Sequence, residues 1–368
     1  MNLKKKKVNI VKPPKKIQIK THIADTAGCG HIRMIIPSML LNQYRHNGFQ
    51  FYSEYSSYFI TSNPIHYKNF TYTVIQRAVG ATLERIKIFK DKIQNIVKVP
   101  IFYEIDDNLV SDIPEWNFAS DYYKIHRESV ENILRLVDGI SVSTNKLKNL
   151  YTKYNNNIVI NKNHLCKFMW PETIPRIKET NKPKIVYPCS QNHFSNKPNI
   201  KGGDIGNVLM NFIKKTTDKY EWIFIGGLPM EMKCLVLEGK IKNLPWQTIW
   251  NYPKFLCSQN ADIGIAPLSQ CEFNACKSDI KVLEFTAAGI PGVYTDIEPY
   301  KYTNLKSKNE EEFIFNIEKL ADDPDLRLST WKADYEKIKD YLFWEDNNNL
   351  FKYVNNFLSL VNLKLEGE

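Results

Sequence analysis

The sequence predicts an α/β protein with two doubly wound domains and a ligand cleft between them. Short apolar runs alternate with longer stretches of helical periodicity, which is the pattern of parallel βαβ units. A segment at 170–184 with three prolines and many charges interrupts this alternation, and the pattern then starts again. The length of 368 residues favours two domains over one or three. We therefore expect domains at 1–170 and 171–340, followed by a helical tail at 341–368.

The first half is predicted to begin with a strand and to alternate from there. Its strands are expected in KIQIKTHIAD (16–25), FQFYSEY (49–55), FTYTVIQ (70–76), VPIFYEIDDN (99–108), ISVSTN (140–145) and NIVINKN (157–163). Helices are expected in IRMIIPSMLLNQYRHNG (32–48), which a glycine ends, and in SDYYKIHRESVENILRLVDG (120–139).

The second half repeats the alternation after the proline-rich segment. Strands are expected in IVYPCS (185–190), EWIFIGG (221–227), the end of FLCSQNADIGIAPL (255–268) and GVYTD (292–296). Helices are expected in GDIGNVLMNFIKKTTDKY (203–220), in FNACKSDIKVLEFTAAGIP (273–291), and through most of 328–362. In open α/β sheets, ligands bind outside the carboxyl ends of the strands, so the loops that follow strands are where chemistry is expected.

Composition narrows the class of protein and of partner. The net charge of +10 favours an anionic partner, either nucleotide phosphates, nucleic acid or an acidic membrane surface. Seven cysteines with no Cys-x-x-Cys pair favour free thiols in a reducing cytoplasm and no metal centre. The lysine-rich N-terminus has no apolar core of a signal peptide, and no apolar run reaches the ~18 residues of a membrane helix. Peripheral membrane contact stays open. The scattered histidines join no recognisable nucleophile motif, which sets hydrolases aside.

The segment 273–291 carries the main candidate site. If it is one helix, Lys277, Lys281 and Glu284 stand at i, i+4 and i+7 and share one face, with Asn274 and Ser278 as cap candidates. A helix N-terminus with two lysines suits phosphate, and Glu284 lies roughly 10 Å further along, at the distance of a ribose. The face therefore suits a nucleotide diphosphate. The alternative is a solvated face with i,i+4 charge pairing.

Three further loops offer weaker candidates, each with a plain structural alternative. Gly28 and Gly30 follow the first strand and allow close approach to a ligand, with Arg33 placed to meet a phosphate, but two glycines also make an ordinary turn. Asp106 stands at the end of the strand predicted in 99–108 and is suited to a metal or a sugar hydroxyl, or to capping a helix. Lys201 precedes two glycines and a helix and is placed to reach the same diphosphate, unless it is a lysine in a surface turn.

These residues resemble the family-4-like branch of GT-B glycosyltransferases. The specific part is the segment from Asp262 to Pro291, which resembles the donor-site segment of that branch. Weaker likeness extends over roughly 16–345 and includes GCGHIRMIIPSMLL, YEIDDNLVSDIP and YPCSQNHF. The common form of the family carries a Glu-x7-Glu pair, in which the second glutamate matches Glu284 and the first falls on Cys276. Asn274 or Lys277 is then the candidate to take over the role of the missing first glutamate.

The resemblance implies a mechanism and a division of labour. It implies a nucleotide-sugar donor, most simply a UDP-sugar, bound mainly by the C-terminal domain, an acceptor on the N-terminal domain, and a last helix that crosses back onto the first domain. It implies transfer with retention and neither a bound metal nor a tightly bound cofactor. Charge on the departing diphosphate would be stabilised by Lys201, Lys277, Lys281 and the helix N-terminus. Arg33 would add to these positive groups from the other domain.

The acceptor is open. Phage relatives of this fold glucosylate hydroxymethylated bases in DNA, and the charge of +10, the lysine-rich N-terminus and the Lys- and Asn-rich, phage-like composition favour a DNA acceptor of that kind. The alternative acceptors are a surface polysaccharide or a lipid-linked glycan. Two other classes compete: a metal-dependent GT-A transferase using Asp106 and Asp107, and a basic nucleic-acid-binding protein without catalysis, although no nucleic-acid-binding signature occurs.

Overall fold

The computed structural model describes residues 15–57, 64–77, 82–172, 174–175, 180–195, 200, 202–363 and 365. Lys201 and the lysines before residue 15 lie outside this range. The chain forms two sheets, and helices follow most of their strands. The predicted class, α/β with two doubly wound halves, is confirmed; the domain boundaries at 170 and 340 stay a prediction.

The first sheet has seven strands in the order β2-β3-β1-β4-β5-β6-β7. All neighbours pair in parallel except β2, which is antiparallel to β3. The strands are β1 (Lys15–His22), β2 (Arg45–His46), β3 (Phe49–Ser56), β4 (Tyr72–Gln76), β5 (Ile101–Ile105), β6 (Gly139–Val142) and β7 (Ile158–Ile160). Every strand predicted in this half is present, and β2 is additional.

The helices of this half are α1 (Gly28–Gly30), a π-helical turn (His31–Ile35), α2 (Ile36–Gln43), α3 (Thr82–Ile96), α4 (Ser120–Leu136) and α5 (Asn145–Tyr151). The first predicted helix was expected to reach Gly48 and ends at Gln43 instead. Asn47 and Gly48 both have positive φ, of 45° and 77°. An Asn-Gly pair in that conformation makes the tight turn of a hairpin, here between β2 and β3.

The second sheet has six parallel strands in the order β10-β9-β8-β11-β12-β13. They are β8 (Lys184–Cys189), β9 (Glu221–Gly226), β10 (Lys242–Leu244), β11 (Ile263–Ala266), β12 (Gly292–Thr295) and β13 (Lys306–Ser307). The order runs outward in one direction from β8 and in the other from β11, so the topology switches between these two strands. That point is where an open α/β sheet forms its ligand crevice.

The helices of the second half and the tail are α6 (Asn207–Lys215), α7 (Lys233–Leu237), α8 (Tyr252–Ser258), α9 (Glu272–Ala275), α10 (Ile280–Ala287), α11 (Glu310–Asp322), α12 (Pro324–Ile338) and α13 (Asn349–Ser359). The helix expected through 273–291 is therefore two helices, and Lys277 and Ser278 lie in the break. The i, i+4, i+7 face and the two predicted caps are wrong. Cys271 caps α9, and Asp279 precedes α10 without a side-chain cap bond.

The last helix, α13, packs on the first half of the chain. The ring of Phe357 stacks on Tyr72 of β4 at 5.3 Å, and Asn356 Nδ2 donates to the carbonyl of Ile160 in β7 at 3.1 Å. The apolar face of α13 is buried in a core cluster that also includes residues of α10 and β8. Within the described parts of the chain, no helix is both long and apolar enough to cross a membrane.

Candidate functional site

The loops after β8 and β11 meet at the switch point of the second sheet, and a buried carboxylate joins them. Oδ1 of Asp204 accepts from the backbone N and the Oγ of Ser269, at 2.8 and 2.7 Å, and from Asn274 Nδ2 at 2.7 Å. Its Oδ2 lies 2.7 Å from Nδ1 of His193, in the turn Gln191–His193 that follows β8. Asp204 therefore fixes both loops relative to each other.

The charge state of this cluster follows from burial and hydrogen bonding. Burial alone would raise the pKa of Asp204, but the hydrogen bonds from His193 and Ser269 outweigh it, and the pKa lies below its usual range. Burial lowers the pKa of His193, and the positive charges of Lys277 and Lys281 lower it further against the opposing effect of Asp204. At neutral pH the pair is a carboxylate beside a neutral imidazole.

The two lysines of the candidate segment have different surroundings. Nζ of Lys281 lies 2.7 Å from Oε2 of Glu284, which also accepts from the hydroxyl of Tyr252 at 2.9 Å. Nζ of Lys277 lies 4.9 Å from the centre of the Phe273 ring, and within the described residues no carboxylate is in ion-pair range of it. Lys277 is thus a half-buried cation whose hydrogen-bonding capacity is not used by a carboxylate of the described chain.

The break between α9 and α10 is attached to the first half of the chain. Cys276 is fully buried and packs in the apolar core cluster of that half. Thr144 Oγ1 donates to the carbonyl of Cys276 at 3.2 Å, and Asn163 Nδ2 donates to Oγ of Ser278 at 2.7 Å. These contacts explain why one continuous helix does not form. Burial raises the pKa of the Cys276 thiol to about 12, so this side chain is neutral at neutral pH.

Arg33 reaches the same segment indirectly. Its guanidinium is almost fully enclosed and binds Glu104, with Nε and Nη2 both 2.7 Å from Oε1. Nη1 donates to Oδ1 of Asn163 at 3.0 Å, and Asn163 in turn binds Ser278. Burial raises the pKa of Glu104 and Arg33 opposes that rise. The π-helical turn that holds Arg33 is a feature often found at functional positions.

The remaining predicted residues lie at the carboxyl edge of the first sheet. A Cβ at Gly30 would lie 1.8 Å from the carbonyl oxygen of Asp25, so only glycine fits there, whereas Gly28 faces open space. Asp106 lies 3.6 Å from Nε of Arg77, and Asp107 lies 3.1 Å from Nη2 of the same guanidinium.

The structure thus brings one group of predicted residues together at the second sheet and leaves the others at the first. The second-sheet group is Asn274, Lys277, Ser278, Lys281 and Glu284. Arg33 is linked to it through Asn163, and Gly28, Gly30 and Asp106 are at the first sheet. The sequence reasoning missed His193, Asp204 and Asn163. A signal existed for the first two, since both follow the predicted strand β8 at the edge where ligands are expected.

A pocket of ≈ 190 Å³ opens beside the cluster, between the loops after β11, β12 and β13 and the start of α6. Asp204, Ser269, Thr295 and Asn309 line it with polar atoms, and Phe313 with an apolar face. Among the described residues, no group of three or more His, Cys, Asp or Glu side chains is placed to hold a metal ion. The polar groups at this edge of the sheet that can bind a ligand are ammonium, imidazole, hydroxyl and carboxylate groups.

Comparisons with known proteins bear on the fold. No family model matches the chain, and no curated protein matches it. Among solved structures, it is similar to an α,α-trehalose-6-phosphate synthase from Burkholderia multivorans, with a TM-score of 0.52 and 8% identity over 94% of this chain and 99% of that one.

Two further structures give the same result. A UDP-forming α,α-trehalose-phosphate synthase from Burkholderia xenovorans has a TM-score of 0.51 and 9% identity over 79% of this chain and 74% of that one. The N-terminal domain of a trehalose-6-phosphate phosphatase from Candida albicans has a TM-score of 0.52 and 9% identity over 94% and 97%. At such identities the likeness concerns the fold alone. Together with the two sheets and their strand orders, it shows that this chain has the GT-B fold of two Rossmann-like halves.

Proposed function

We propose that the protein is a glycosyltransferase that moves a hexose or pentose from a nucleotide-diphosphate sugar, most simply a UDP-sugar, to a hydroxyl acceptor. The observation that carries the proposal is the set of Lys277, Lys281 and Glu284 at the switch point of the second sheet, where a GT-B fold binds its ligand. In this proposal, residues 171–340 bind the donor and residues 1–170 hold the acceptor.

Each residue has a distinct role in the proposed reaction. The bond between the anomeric carbon and the diphosphate oxygen breaks, and Lys277 and Lys281 stabilise the charge that develops on that oxygen. Lys201, outside the described residues, is proposed to add to them. Glu284 accepts hydrogen bonds from the ribose hydroxyls. The acceptor oxygen attacks the same face of the sugar, its proton passes to the departing diphosphate, and the configuration is retained.

The residues of the first half act on this site in other ways. Arg33 is proposed to hold the donor segment through Asn163 and Ser278, since its own guanidinium is committed to Glu104. Asp106 is proposed to bind an acceptor hydroxyl. Gly28, which faces open space, is proposed to let the donor approach the backbone of the loop after β1, and Gly30 lets that loop close against Asp25.

The experiment that tests the function is donor binding and turnover in Glu284→Gln. Loss of a charge-assisted contact to ribose should weaken UDP binding by about ten- to a hundred-fold, while the folded structure is kept. Calorimetry with UDP measures binding, and steady-state kinetics with a panel of nucleotide sugars measures turnover. The control is Glu298→Gln, a half-buried glutamate whose ion pair is with Lys301. Wild-type binding and turnover in Glu284→Gln would contradict the donor assignment.

For the acceptor, we propose a hydroxymethylated pyrimidine in DNA, which the net charge of +10 supports. Binding to duplex DNA should then weaken with salt, with a log–log slope of about −0.9 per phosphate neutralised. The enzyme would also have to extrude the target base. Transfer assays on hydroxymethylated DNA, plain DNA and glycan acceptors decide the matter. Label in a polysaccharide or lipid-linked glycan and none in DNA would replace this acceptor by the glycan one, and salt-sensitive DNA binding without any transfer would favour a non-catalytic binder.

A further inference from the structure

The proposed donor site lacks an acceptor for the hydroxyls of the transferred sugar. The position that matches the family's first glutamate, Cys276, is a neutral thiol buried against the other half of the chain. Asn274 does not replace it, because its Nδ2 is bound to Asp204 and to the carbonyl of Ser269, and its Oδ1 is fully enclosed. Lys277 offers only donors. A hydroxyl of the sugar therefore needs another partner.

His193 has the required geometry. It stands at the end of β8, directly across the switch point from the loop after β11 that carries Asn274. Its Nδ1 is 2.7 Å from Asp204, and its side chain keeps 18% exposure. Within the described residues, no hydrogen-bond partner is found for the other ring nitrogen, Nε2.

The carboxylate determines which ring nitrogen carries the proton. Asp204 is fully enclosed and accepts three other hydrogen bonds, which hold it ionised and fixed. A carboxylate only accepts, so Nδ1 of His193 must donate to it. In the neutral imidazole, Nε2 then carries a lone pair and accepts a hydrogen bond.

We propose that His193 binds the transferred sugar by accepting, at Nε2, a hydrogen bond from one of its hydroxyls, and that Asp204 positions the ring for this contact. The inference rests on the proposed function and assigns a sugar-binding residue to the same site. It makes His193 a determinant of which sugar is accepted. The ring also packs near Tyr187, with 6.3 Å between ring centres, which limits its rotation.

The charged and titratable groups around the ring predict how the contact depends on pH. These groups are Asp204, which favours the imidazolium, Lys277 and Lys281, which disfavour it, and Tyr187. At neutral pH the imidazole is uncharged and Nε2 is free to accept. When acid protonates the ring, Nε2 becomes a donor, and a hydroxyl of the sugar must accept from it instead of donating to it.

The test compares UDP with UDP-glucose, and GDP with GDP-mannose, by calorimetry on the full chain at pH 7.5. The variant is His193→Asn, whose amide donates to Asp204 as Nδ1 does but has nothing in place of Nε2. Loss of one neutral hydrogen bond should weaken sugar-nucleotide binding by about threefold to tenfold. Binding of the free nucleoside diphosphate should stay within about twofold of wild type.

The outcomes separate this inference from the proposed function. If the wild type binds no nucleoside diphosphate, the proposed function and the inference both fail. A second outcome is that the wild type binds them while His193→Asn weakens the binding of the diphosphate and of the sugar nucleotide equally, or leaves both unchanged. In either case His193 is not a sugar contact, and the donor assignment survives. His126→Asn on α4 is the matched control and should leave both affinities unchanged. If His193→Asn does not fold, His193→Gln, which offers an amide near the place of Nε2, should retain more sugar-nucleotide affinity than His193→Ala.

Discussion

The carboxyl edges of the two sheets use their positive charges in opposite ways. At the first sheet, Arg33 is enclosed against Glu104, and Arg77 lies between two aspartates with 14% of its side chain exposed. At the second sheet, Lys277 has no carboxylate partner in the described chain, and Lys281 has one, Glu284. Lys281 is paired and, with 16% of its side chain exposed, is close to Arg77 in exposure, so the contrast rests on Lys277, which is half-buried and remains available to an anion. The first edge supports the fold, and the proposed phosphate binding would fall to Lys277 at the second.

The largest effect is expected from removing the enclosed cation of the first edge. Arg33→Ala leaves Glu104, which has no exposed surface, without its partner, and should lower the free energy of unfolding by about 3–5 kcal/mol. Urea denaturation measures it. The control is Arg85→Ala on α3, an exposed arginine, which should change stability by no more than about 0.5 kcal/mol. Equal losses of stability in Arg33→Ala and Arg85→Ala would show that Arg33 does not support the fold, and the distinction between the two edges would then be lost.

The next effect is expected from placing a carboxylate at Cys276. Cys276→Glu places an ionisable group in an apolar cluster of the first half, where it must be buried without a partner or displace the segment. We expect a loss of about 2–4 kcal/mol in stability and no gain in sugar-nucleotide affinity. Cys276→Ala, which removes only the thiol, is the control. A stable Cys276→Glu protein with tighter sugar-nucleotide binding would contradict this expectation and place position 276 in the proposed donor site.

Acid sensitivity offers a third test at the first edge. Burial lowers the pKa of His164 to about 3, and the charge of Arg33 adds to this effect. The unfolded chain takes up a proton near pH 6.5 that the folded chain refuses, so stability is present above pH 6.5 and is lost as the pH falls. Between pH 6.5 and 5 this should amount to about 2 kcal/mol. His164→Asn keeps a donor for the carbonyl of Tyr341, which lies 2.7 Å from Nδ1, and should remove that part of the pH dependence in parallel urea titrations.

The smallest effect on stability is expected at the second edge. Lys277→Ala should change the free energy of unfolding by no more than about 0.5 kcal/mol, yet weaken UDP binding about tenfold, because the charge serves the ligand rather than the fold. Lys319→Ala is the matched control, since Lys319 lies over Phe315 at 4.7 Å much as Lys277 lies over Phe273. A large loss of stability with unchanged UDP affinity would make Lys277 a structural residue.

The alternation of strands and helices was predictable because it depends on local periodicity. Most strands of the two sheets appear in the sequence as apolar runs of the right length, and their order implies at which edge of the sheet ligands bind. The short edge strands β2, β10 and β13 contain no apolar run and were not predicted. Helix α11 was missed although Asn309 caps it and three glutamates begin it, which is a readable N-terminal signal. Helix α11 was therefore predictable from local sequence signals alone.

The shape of the segment 273–291 was not predictable in the same way. FNACKSDIKVLEF has the local character of one helix, and the break at Lys277 depends on Thr144 and Asn163, more than a hundred residues earlier. The same applies to Arg33, whose partner Glu104 is 71 residues away. Glu284 lies on a helix, as predicted, and its contact with Lys281 is a local i,i+3 pair within α10, but its contact with Tyr252 depends on the packing of α8 against α10.

The attachment of Cys276 and Ser278 to the first half has a consequence for recombination. A GT-B fold invites the exchange of whole halves, because each half carries its own sheet. Here the segment between α9 and α10 is held by hydrogen bonds that the first half supplies, through Thr144 and Asn163. We therefore expect that a hybrid of the second half with a foreign first half keeps the conformation of this segment only if those two side chains are transplanted with it.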